Sequence, residues 1–292
     1  MKKLLLLVAA PALVLVACSR PEPGAKGSRV VLQNKGSDTL VNVAQAWAEA
    51  YKEVDPNTAI AVTGGGSGTG ISALINGTVD IANASREMKD QEIASAKANG
   101  VEPVEFVVGY DALAVFLHPD NPATSLSFEQ LAGIYGDGGE TVSWSQLGLD
   151  VPGCSSGEIV VVSRQNNSGT YAYFQEVVLG GKDFKLGTRD MHGSKDVVDL
   201  VENTPCAIGY SGLAYATEHI KKACIGEAGA CVEPTVEGAI SGEYPIARSL
   251  LMYTSGQPTG GTKAYMDWIL SDAGQCILLD KGYAPAAKVS CK

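Results

Sequence analysis

Three short stretches of the chain combine glycine with hydroxyl residues, and each leads into a helix-like pattern. They are residues 36–40 (Gly-Ser-Asp-Thr-Leu), 64–70 (Gly-Gly-Gly-Ser-Gly-Thr-Gly) and 166–171 (Asn-Asn-Ser-Gly-Thr-Tyr), and Arg164 stands four residues ahead of the last serine. A helix start presents unpaired backbone N–H groups and a partial positive charge, and Ser and Thr hydroxyls add donors. Arginine's planar fork suits two-point contact with an oxyanion. Together these residues could hold a small oxyanion without a metal, whereas each stretch alone is also an ordinary turn or helix cap.

The elements that must position these stretches alternate between strands and helices. Apolar runs at 30–32, 59–62 and 79–82 predict strands, and the apolar spacing over 40–51 predicts an amphipathic helix after the first of them. This order predicts an α/β fold with an open, mostly parallel sheet and helices on its faces. Ligands of such sheets bind beyond the carboxyl ends of the strands, where these loops lie.

A second set of elements follows the long apolar segment at 107–118, and a strand at 247–253 can return to the first set. We therefore predict two α/β lobes joined by two crossing segments, with a cleft between them. Residues 29–110 and 252–292 form lobe 1, and residues 111–251 form lobe 2. The other predicted elements are strands at 159–162 and 207–210 and helices at 71–75, 87–98, 128–135, 171–179, 196–202 and 263–279.

Residues 1–17 are typical of a bacterial export signal. Lys2 and Lys3 precede an apolar run that is too short for a comfortable membrane span. The run ends in Leu-Val-Ala-Cys, which resembles the lipobox of bacterial lipoproteins and implies that Cys18 is lipidated and becomes the first mature residue. An ordinary secretory signal and an N-terminal anchor are the alternatives. Residues 18–28 are polar and contain two prolines, which predicts a flexible tether.

The charge of the chain excludes one class of partner. Loss of Lys2 and Lys3 with the signal takes the formal net charge from −10 to −12. Nucleic-acid binding needs a basic surface, so nucleic acid is excluded as a partner. The overall field also repels anions, so an anion must be held by local donors and dipoles.

Cysteine usage agrees with export. Seven cysteines less Cys18 leave six, an even number that predicts structural disulfides in an exported chain. Six cysteines allow fifteen pairings, and the sequence does not decide among them. No CxxC pair or His-Cys cluster occurs, so we expect neither zinc nor another cofactor. Locality and elimination favour Cys224–Cys231, Cys276–Cys291 and Cys154–Cys206.

Five motifs occur in order along nearly the whole mature chain: residues 36–40, 66–71 (GSGTGI), 79–86 (VDIANASR), 164–170 (RQNNSGT) and 204–210 (TPCAIGY). Together they resemble the periplasmic phosphate-binding proteins of bacterial ABC importers. The resemblance implies a type II periplasmic-binding-protein fold whose two hinged lobes close on inorganic phosphate and deliver it to an ABC permease, with no reaction catalysed. The ligands that it implies are Thr39, the Leu40 N–H and Ser67 from lobe 1, and Arg164, Ser168, the Gly169 N–H and Thr170 from lobe 2.

One position departs from the best-known pattern of that family, in which an aspartate accepts the proton of hydrogen phosphate and repels sulfate. Counted from Ser67 at constant spacing, Ser85 stands there, followed by Arg86, and we include both among the candidate ligands. A serine can donate or accept, so it discriminates less sharply. Asp38 could supply the missing acceptor, or it could cap the first helix. We predict phosphate, with sulfate or molybdate as the rival ligand.

Other functional classes find less support. No GxSxG elbow occurs and no histidine lies close in sequence to Ser168, so a phosphate-ester hydrolase lacks an identifiable base. A surface sensor or adhesion module built on the same lobes is the other alternative. We expect a monomer in the cell envelope, held to the membrane by its lipid alone. It would face the periplasm in a Gram-negative cell and lie on the outer face of the plasma membrane in a Gram-positive cell.

Overall fold

The computed structural model of the chain describes residues 29–291. The predicted signal peptide and the tether with Cys18 lie outside the described residues and stay predictions. Within the described part the chain is a mixed α/β protein, as predicted. Its strands are β1 (Val30–Gly36), β2 (Thr58–Thr63), β3 (Ile81–Ala84), β4 (Pro103–Leu117), β5 (Ser125–Leu126), β6 (Val160–Arg164), β7 (Arg189–Met191), β8 (Ala207–Gly212), β9 (Lys221–Ile225), β10 (Ala247–Ser255) and β11 (Ala284–Pro285).

The helices follow the apolar periodicity of the sequence. Helix α1 buries the predicted face that includes Val43, Trp47 and Tyr51. The helices are α1 (Val41–Val54), α2 (Ser67–Ile75), α3 (Asp90–Ala98), α4 (Phe128–Tyr135), α5 (Gly169–Val177), α6 (Ser194–Glu202), α7 (Val236–Ser241), α8 (Gly260–Ile269) and α9 (Asp272–Asp280).

The single helix predicted over 263–279 is wrong, because the segment forms α8 and α9. Ser271 takes an extended conformation between them, and its hydroxyl donates to the carbonyl of Trp268 at 2.6 Å. The bend brings Gly274 against the end of α8, where a Cβ at Gly274 would lie 2.4 Å from the Ile269 carbonyl oxygen. Helical periodicity continues across the bend, so the apolar pattern does not reveal it.

The strands are ordered β2-β1-β3-β10-β4-β8-β6-β7. Strands β1–β3 pair in parallel, as do β6, β7 and β8, which agrees with the predicted sheets. Strands β4 and β10 run antiparallel to their neighbours. Residues 103–112 of β4 pair with β10, and residues 113–117 pair with β8, so β4 passes from one half of the sheet to the other. The two segments predicted to cross between lobes are therefore long antiparallel strands.

Apolar side chains pack on both sides of these crossing strands. One core cluster joins β1, α1 and α8 around Trp47 and Tyr265, and a second surrounds Tyr135, Phe174 and Tyr210. The second cluster includes Ala284 from the C-terminal segment. The exact lobe boundaries at 110/111 and 251/252 stay a prediction.

Three disulfides link the predicted cysteine pairs. Cys154–Cys206 joins the loops that precede β6 and β8, Cys224–Cys231 closes a short loop after β9, and Cys276–Cys291 ties the C-terminal segment to α9. The pairing favoured by locality is confirmed.

Candidate functional site

Two tyrosines fix the first predicted loop. After β1 the chain makes the 3-10 turn Asp38–Leu40, in which both predicted ligands are buried. The Tyr215 hydroxyl donates to the carbonyl of Asp38 at 2.6 Å, and the Tyr283 hydroxyl donates to the carbonyl of Thr39. Because the turn is bonded from two sides, the Thr39 side chain has a defined direction.

Three buried serines cluster beside this turn at the start of α2. The Ser37 hydroxyl donates to Ser85 Oγ at 2.8 Å, and Ser67 Oγ accepts the Ser85 N–H at 3.0 Å. The Ser67 and Ser85 hydroxyl oxygens are 3.4 Å apart. Gly66, with a φ of 89°, turns the chain so that Ser67 is the first residue of α2. Two predicted ligands from different loops therefore meet at one helix N-terminus.

The third stretch forms the N-terminus of α5. Ser168 caps this helix, since its Oγ accepts the Thr170 N–H at 3.1 Å. Gly169 and Thr170 are buried in the first helical turn, and Arg164 is the last residue of β6. The predicted ligands of lobe 2 therefore surround a second helix N-terminus.

The two helix N-termini face each other across the cleft. Thr39 Oγ1 and Thr170 Oγ1 are 3.1 Å apart. A Cβ at Gly169 would lie only 2.4 Å from Ser67 Oγ and 2.6 Å from Ser85 Oγ. The positive ends of both helix dipoles and several hydroxyls thus converge on one buried point, an arrangement suited to an anion.

Asn167 joins the two loops directly. Its carbonyl accepts the Gly68 N–H at 3.0 Å, and its side-chain amide donates to the carbonyl of Gly65 at 3.0 Å. These hydrogen bonds hold the lobes in contact at the site.

Arg164 is fully buried beside this point. Its guanidinium donates to Ser194 Oγ at 3.0 Å and to the carbonyl of His192 at 2.9 Å, and Nη2 lies 3.4 Å from Asp38 Oδ2. Burial lowers the pKa of Arg164, and the carboxylate of Asp38 opposes that shift. Arginine nevertheless stays charged. Its buried Nε–H has no acceptor within residues 29–291.

Asp38 bridges the two lobes rather than capping a helix. Its Oδ1 accepts the Gly65 N–H at 2.9 Å, while Oδ2 faces Arg164. Leu40 is the N-cap residue of α1 and Ser37 that of the 3-10 turn, and no side-chain capping hydrogen bond forms at either start. The capping alternative is therefore wrong, and the role of proton acceptor stays a prediction.

Arg86 is engaged elsewhere. Nη1 and Nη2 each donate to Glu92 at 2.8 Å, and Nη1 also donates to the carbonyl of Glu87. Although burial acts to raise the pKa of Glu92, the hydrogen bonds from Arg86 and the Lys89 N–H hold it below its usual value. None of the Arg86 hydrogen bonds in the described part of the chain reaches the serine cluster.

A second buried guanidinium lies at the convergence point, and sequence reasoning missed it. Arg248 of β10 pairs with Asp111 of β4, with Nη2 2.8 Å and Nε 3.2 Å from Oδ2. Nη2 also lies 3.2 Å from Thr39 Oγ1 and 3.0 Å from Thr170 Oγ1, and Nη1 donates to the carbonyl of Ser85. Arg248 thus contacts predicted ligands on both sides of the cleft.

A cleft of about 570 Å³ opens beside Arg248. Arg86, Tyr173 and Glu176 contribute to its walls, and the Arg248 guanidinium carbon lies 5.7 Å from the centre of the Tyr173 ring. This cleft adjoins the buried convergence point, because Arg248 borders both.

Neither a metal centre nor a membrane span is found in the described part of the chain. Residues 29–291 bring together no group of three or more His, Cys, Asp or Glu side chains able to hold a metal ion. No helix in that range is long and apolar enough to cross a bilayer.

Comparison with known proteins decides the family. A model of the PBP superfamily domain matches residues 23–273. A phosphate-binding protein PstS of Pseudomonas aeruginosa is 35% identical, over 97% of this chain and 92% of its own length. The chain belongs to the PstS family of phosphate-binding proteins.

Solved structures support the fold of the family. A phosphate ABC transporter substrate-binding protein from Clostridium perfringens, solved with bound phosphate, superimposes with a TM-score of 0.78 at 29% identity, over 88% of this chain and 100% of the other. A phosphate transport receptor from Vibrio cholerae gives 0.69 at 26% identity, over 87% and 99%. The prediction of a type II periplasmic-binding-protein fold is confirmed.

The structure brings most of the predicted PstS-type site residues together. Arg86 is the exception, because its guanidinium is paired with the carboxylate of Glu92. Arg248 carried one sequence signal, a lone charge in an apolar predicted strand, and Asp111 carried the same signal in the other crossing segment. The residues that lie at or beside the convergence point are Asp38, Thr39, Leu40, Ser67, Ser85, Arg164, Ser168, Gly169 and Thr170.

Proposed function

We propose that this chain captures inorganic phosphate between its two lobes outside the cytoplasm and delivers it to an ABC permease. The observation that carries the proposal is the meeting of hydroxyls and helix N-termini from both lobes, with Thr39 Oγ1 and Thr170 Oγ1 3.1 Å apart. The printed names of the relatives, which describe phosphate binding and phosphate transport, support the same ligand. They name binding proteins rather than enzymes, in agreement with the prediction that the chain catalyses no reaction.

Binding replaces the water around the anion with fixed donors. The anion takes over hydroxyl hydrogens that now bond other hydroxyls, such as those of Thr39 and Thr170. Each charge-assisted hydrogen bond is worth about 1.5–3 kcal/mol. A handful of them reaches micromolar affinity, about −8 kcal/mol, after the costs of association and ordering.

Local donors rather than net charge must supply the affinity. The two buried cations Arg164 and Arg248 are each near a carboxylate, Asp38 at 3.4 Å and Asp111 at 2.8 Å. These four groups therefore sum to no net charge, and the mature chain as a whole is strongly negative. The helix N-termini and hydroxyls provide partial positive charge without attracting anions from a distance.

Calorimetric titration of a soluble form that begins at Ser19 tests the proposal. Phosphate should bind with micromolar or better affinity near neutral pH, and sulfate at least about tenfold more weakly, a difference of about 1.4 kcal/mol. A matched titration with molybdate covers the other rival. Equal or tighter binding of sulfate or molybdate would reassign the site to that oxyanion, and binding of none of the three would contradict anion capture.

We further propose that Cys18 carries a lipid that anchors the exported chain to the membrane. The support is the lipobox-like Leu-Val-Ala-Cys sequence and the polar tether at 18–28. Labelled palmitate should enter the wild-type chain and the Ser19→Ala control in the membrane fraction, but should not enter Cys18→Ser. Labelling of Cys18→Ser would disprove the anchor site.

A further inference from the structure

Arg248 belongs to none of the sequence motifs from which the site was predicted. Arg248 is almost completely buried, and its side chain reaches the convergence point from β10, one of the two strands that join the lobes. Its Nη2 has two hydrogens and three close acceptors, Asp111 Oδ2, Thr39 Oγ1 and Thr170 Oγ1, at 2.8, 3.2 and 3.0 Å. One hydrogen therefore bonds the carboxylate, and the other is shared between the two threonine oxygens.

Asp111 fixes the guanidinium in this position. Arg248 and Asp111 are register partners on the antiparallel strands β10 and β4, and Oδ2 accepts from both Nε and Nη2. The Asp111 side chain is fully buried. Two adjacent N–H groups of one guanidinium donate to the single oxygen Oδ2, which restrains the plane of the guanidinium as well as its position. The direction of the remaining Nη2 hydrogen is thereby set by the two crossing strands.

The contact determines what the two threonine hydroxyls can do. A hydroxyl has one hydrogen to donate and two lone pairs, whereas a guanidinium can only donate. When Thr39 Oγ1 and Thr170 Oγ1 accept from Arg248, both keep their own hydrogens for another acceptor. The nearby positive charge also polarises the O–H bonds and strengthens them as donors. This is the state that an oxyanion needs.

We propose that Arg248, held by Asp111, is a positioning residue that orients the Thr39 and Thr170 hydroxyls as donors to a tetrahedral oxyanion bound between the lobes. The proposal rests on the function proposed above. Because the two threonines come from opposite sides of the cleft, Arg248 can contact both only when the lobes are closed. The residue thus couples the orientation of the donors to closure.

The test is a mutant cycle read by calorimetry with phosphate and with sulfate. Arg248→Gln alone would leave Asp111 buried without its partner, so the cycle uses Asp111→Asn/Arg248→Gln, which removes both charges together. This pair is measured in the wild-type background, with Thr39→Val/Thr170→Val, and with Thr39→Ser/Thr170→Ser. The melting temperature of each ligand-free variant reports folding separately.

The double substitution Asp111→Asn/Arg248→Gln, here called the charge-neutral pair, should lower phosphate affinity by about tenfold or more in the wild-type background. This loss is the worth of one charge-assisted hydrogen bond. It should lower phosphate affinity nearly as much in the Thr39→Ser/Thr170→Ser background, because the hydroxyls remain. In the Thr39→Val/Thr170→Val background, adding the same pair should lower phosphate affinity by less than about threefold, because Arg248 then has no hydroxyls to orient. Arg248→Lys, which keeps the charge but not the fork, should recover only part of the loss.

Two outcomes overturn the inference. One is an unchanged affinity in the charge-neutral pair. The other is an equal loss in the valine and serine backgrounds, which would mean that Arg248 supports the fold or the overall charge rather than the hydroxyls. A wild-type protein that prefers sulfate contradicts the proposed function, yet the cycle measured with sulfate still decides the role of Arg248. A wild-type protein that binds neither anion overturns both.

Discussion

At the scale of single residues, Arg164 is the cation that should contact the anion directly. Its guanidinium is bonded to Ser194 and His192 within its own lobe and faces Asp38 across the cleft. Arg164→Lys keeps the charge but cannot reproduce the fork. We expect phosphate affinity to fall at least about tenfold, or 1.4 kcal/mol, in calorimetry. The exposed Arg189→Lys is the matched control, and equal affinities in both variants would show that Arg164 does not contact the anion.

Asp38 is the residue on which selectivity should depend. Its Oδ1 accepts the Gly65 N–H, and its Oδ2 is near Arg164. Asp38→Asn can keep the Gly65 bond while removing the negative charge that should accept the proton of hydrogen phosphate and repel sulfate. Phosphate binding should weaken, and the affinity ratio of phosphate to sulfate should narrow by about tenfold, the effect of one charge-assisted hydrogen bond.

The control for Asp38→Asn is Asp80→Asn. Asp80 also accepts a backbone N–H, that of Gln33 at 2.7 Å, but its side chain is exposed and forms no ion pair within residues 29–291. Phosphate and sulfate affinities should stay at wild-type values in this control. If Asp38→Asn leaves the ratio unchanged as well, the acceptor must be another group, and Asp38 then serves only to join the lobes.

The sequence predicted the hydroxyls that the structure brings together better than it predicted the buried cations beside them. Thr39, Ser67 and Thr170 stand in glycine-rich loops at helix starts, where local chemistry already shows a donor surface. Arg248 stands in an apolar strand, and only the structure shows that it pairs with Asp111 on the neighbouring strand β4. A buried pair is a long-range property of strand register, which one segment of sequence does not contain.

At the scale of the elements, the start of α5 must approach the start of α2 without a side chain between them. Gly169 is an ordinary helical residue with no positive φ, so the helix itself can accept alanine. Its Cβ, however, would lie 2.4 Å from Ser67 Oγ and 2.6 Å from Ser85 Oγ. Glycine is therefore needed at position 169 because the start of α5 packs closely against the start of α2, and not because of the helix conformation.

Gly169→Ala should therefore disturb closure rather than folding. We expect the ligand-free melting temperature to stay within a few degrees of wild type, because the effect on α5 itself is below about 1 kcal/mol. Phosphate affinity should fall at least tenfold, and small-angle scattering with phosphate should show a larger radius of gyration than for wild type. Gly261→Ala in α8, whose Cβ has contacts no closer than 3.7 Å, is the control. Normal compaction of Gly169→Ala would contradict the closed packing.

Contacts between elements also explain which helix boundaries the sequence did not predict. The periodicity of 40–51 predicted α1 because one face packs against one core. The bend between α8 and α9 escaped prediction because Gly274 packs against the preceding helix, a contact that apolar spacing does not encode. Local patterns determine which element forms, and tertiary contacts determine where it ends.

At the scale of the whole molecule, an anion bonded from both lobes must stabilise both. A ligand at 100 times its Kd adds about 2.7 kcal/mol to the free energy of unfolding, which corresponds to a rise of roughly 5–10 °C in melting temperature for a chain of this size. The chain provides reporters for each half. Trp47 is buried in the core of β1, α1 and α8, and Trp144 is buried in the core around Tyr135.

Two tryptophan variants allow the stabilisation of each lobe by the anion to be measured separately. Trp144→Phe leaves the fluorescence of Trp47 and Trp268, and Trp47→Phe/Trp268→Phe leaves that of Trp144 alone. We expect saturating phosphate to raise the melting temperature by a similar amount in both, because the ligand cannot be held once either lobe unfolds. Adding Gly169→Ala should reduce both shifts together. A shift seen only by Trp144, or only by the other two tryptophans, would mean that one lobe holds the anion alone and that closure contributes nothing to its affinity.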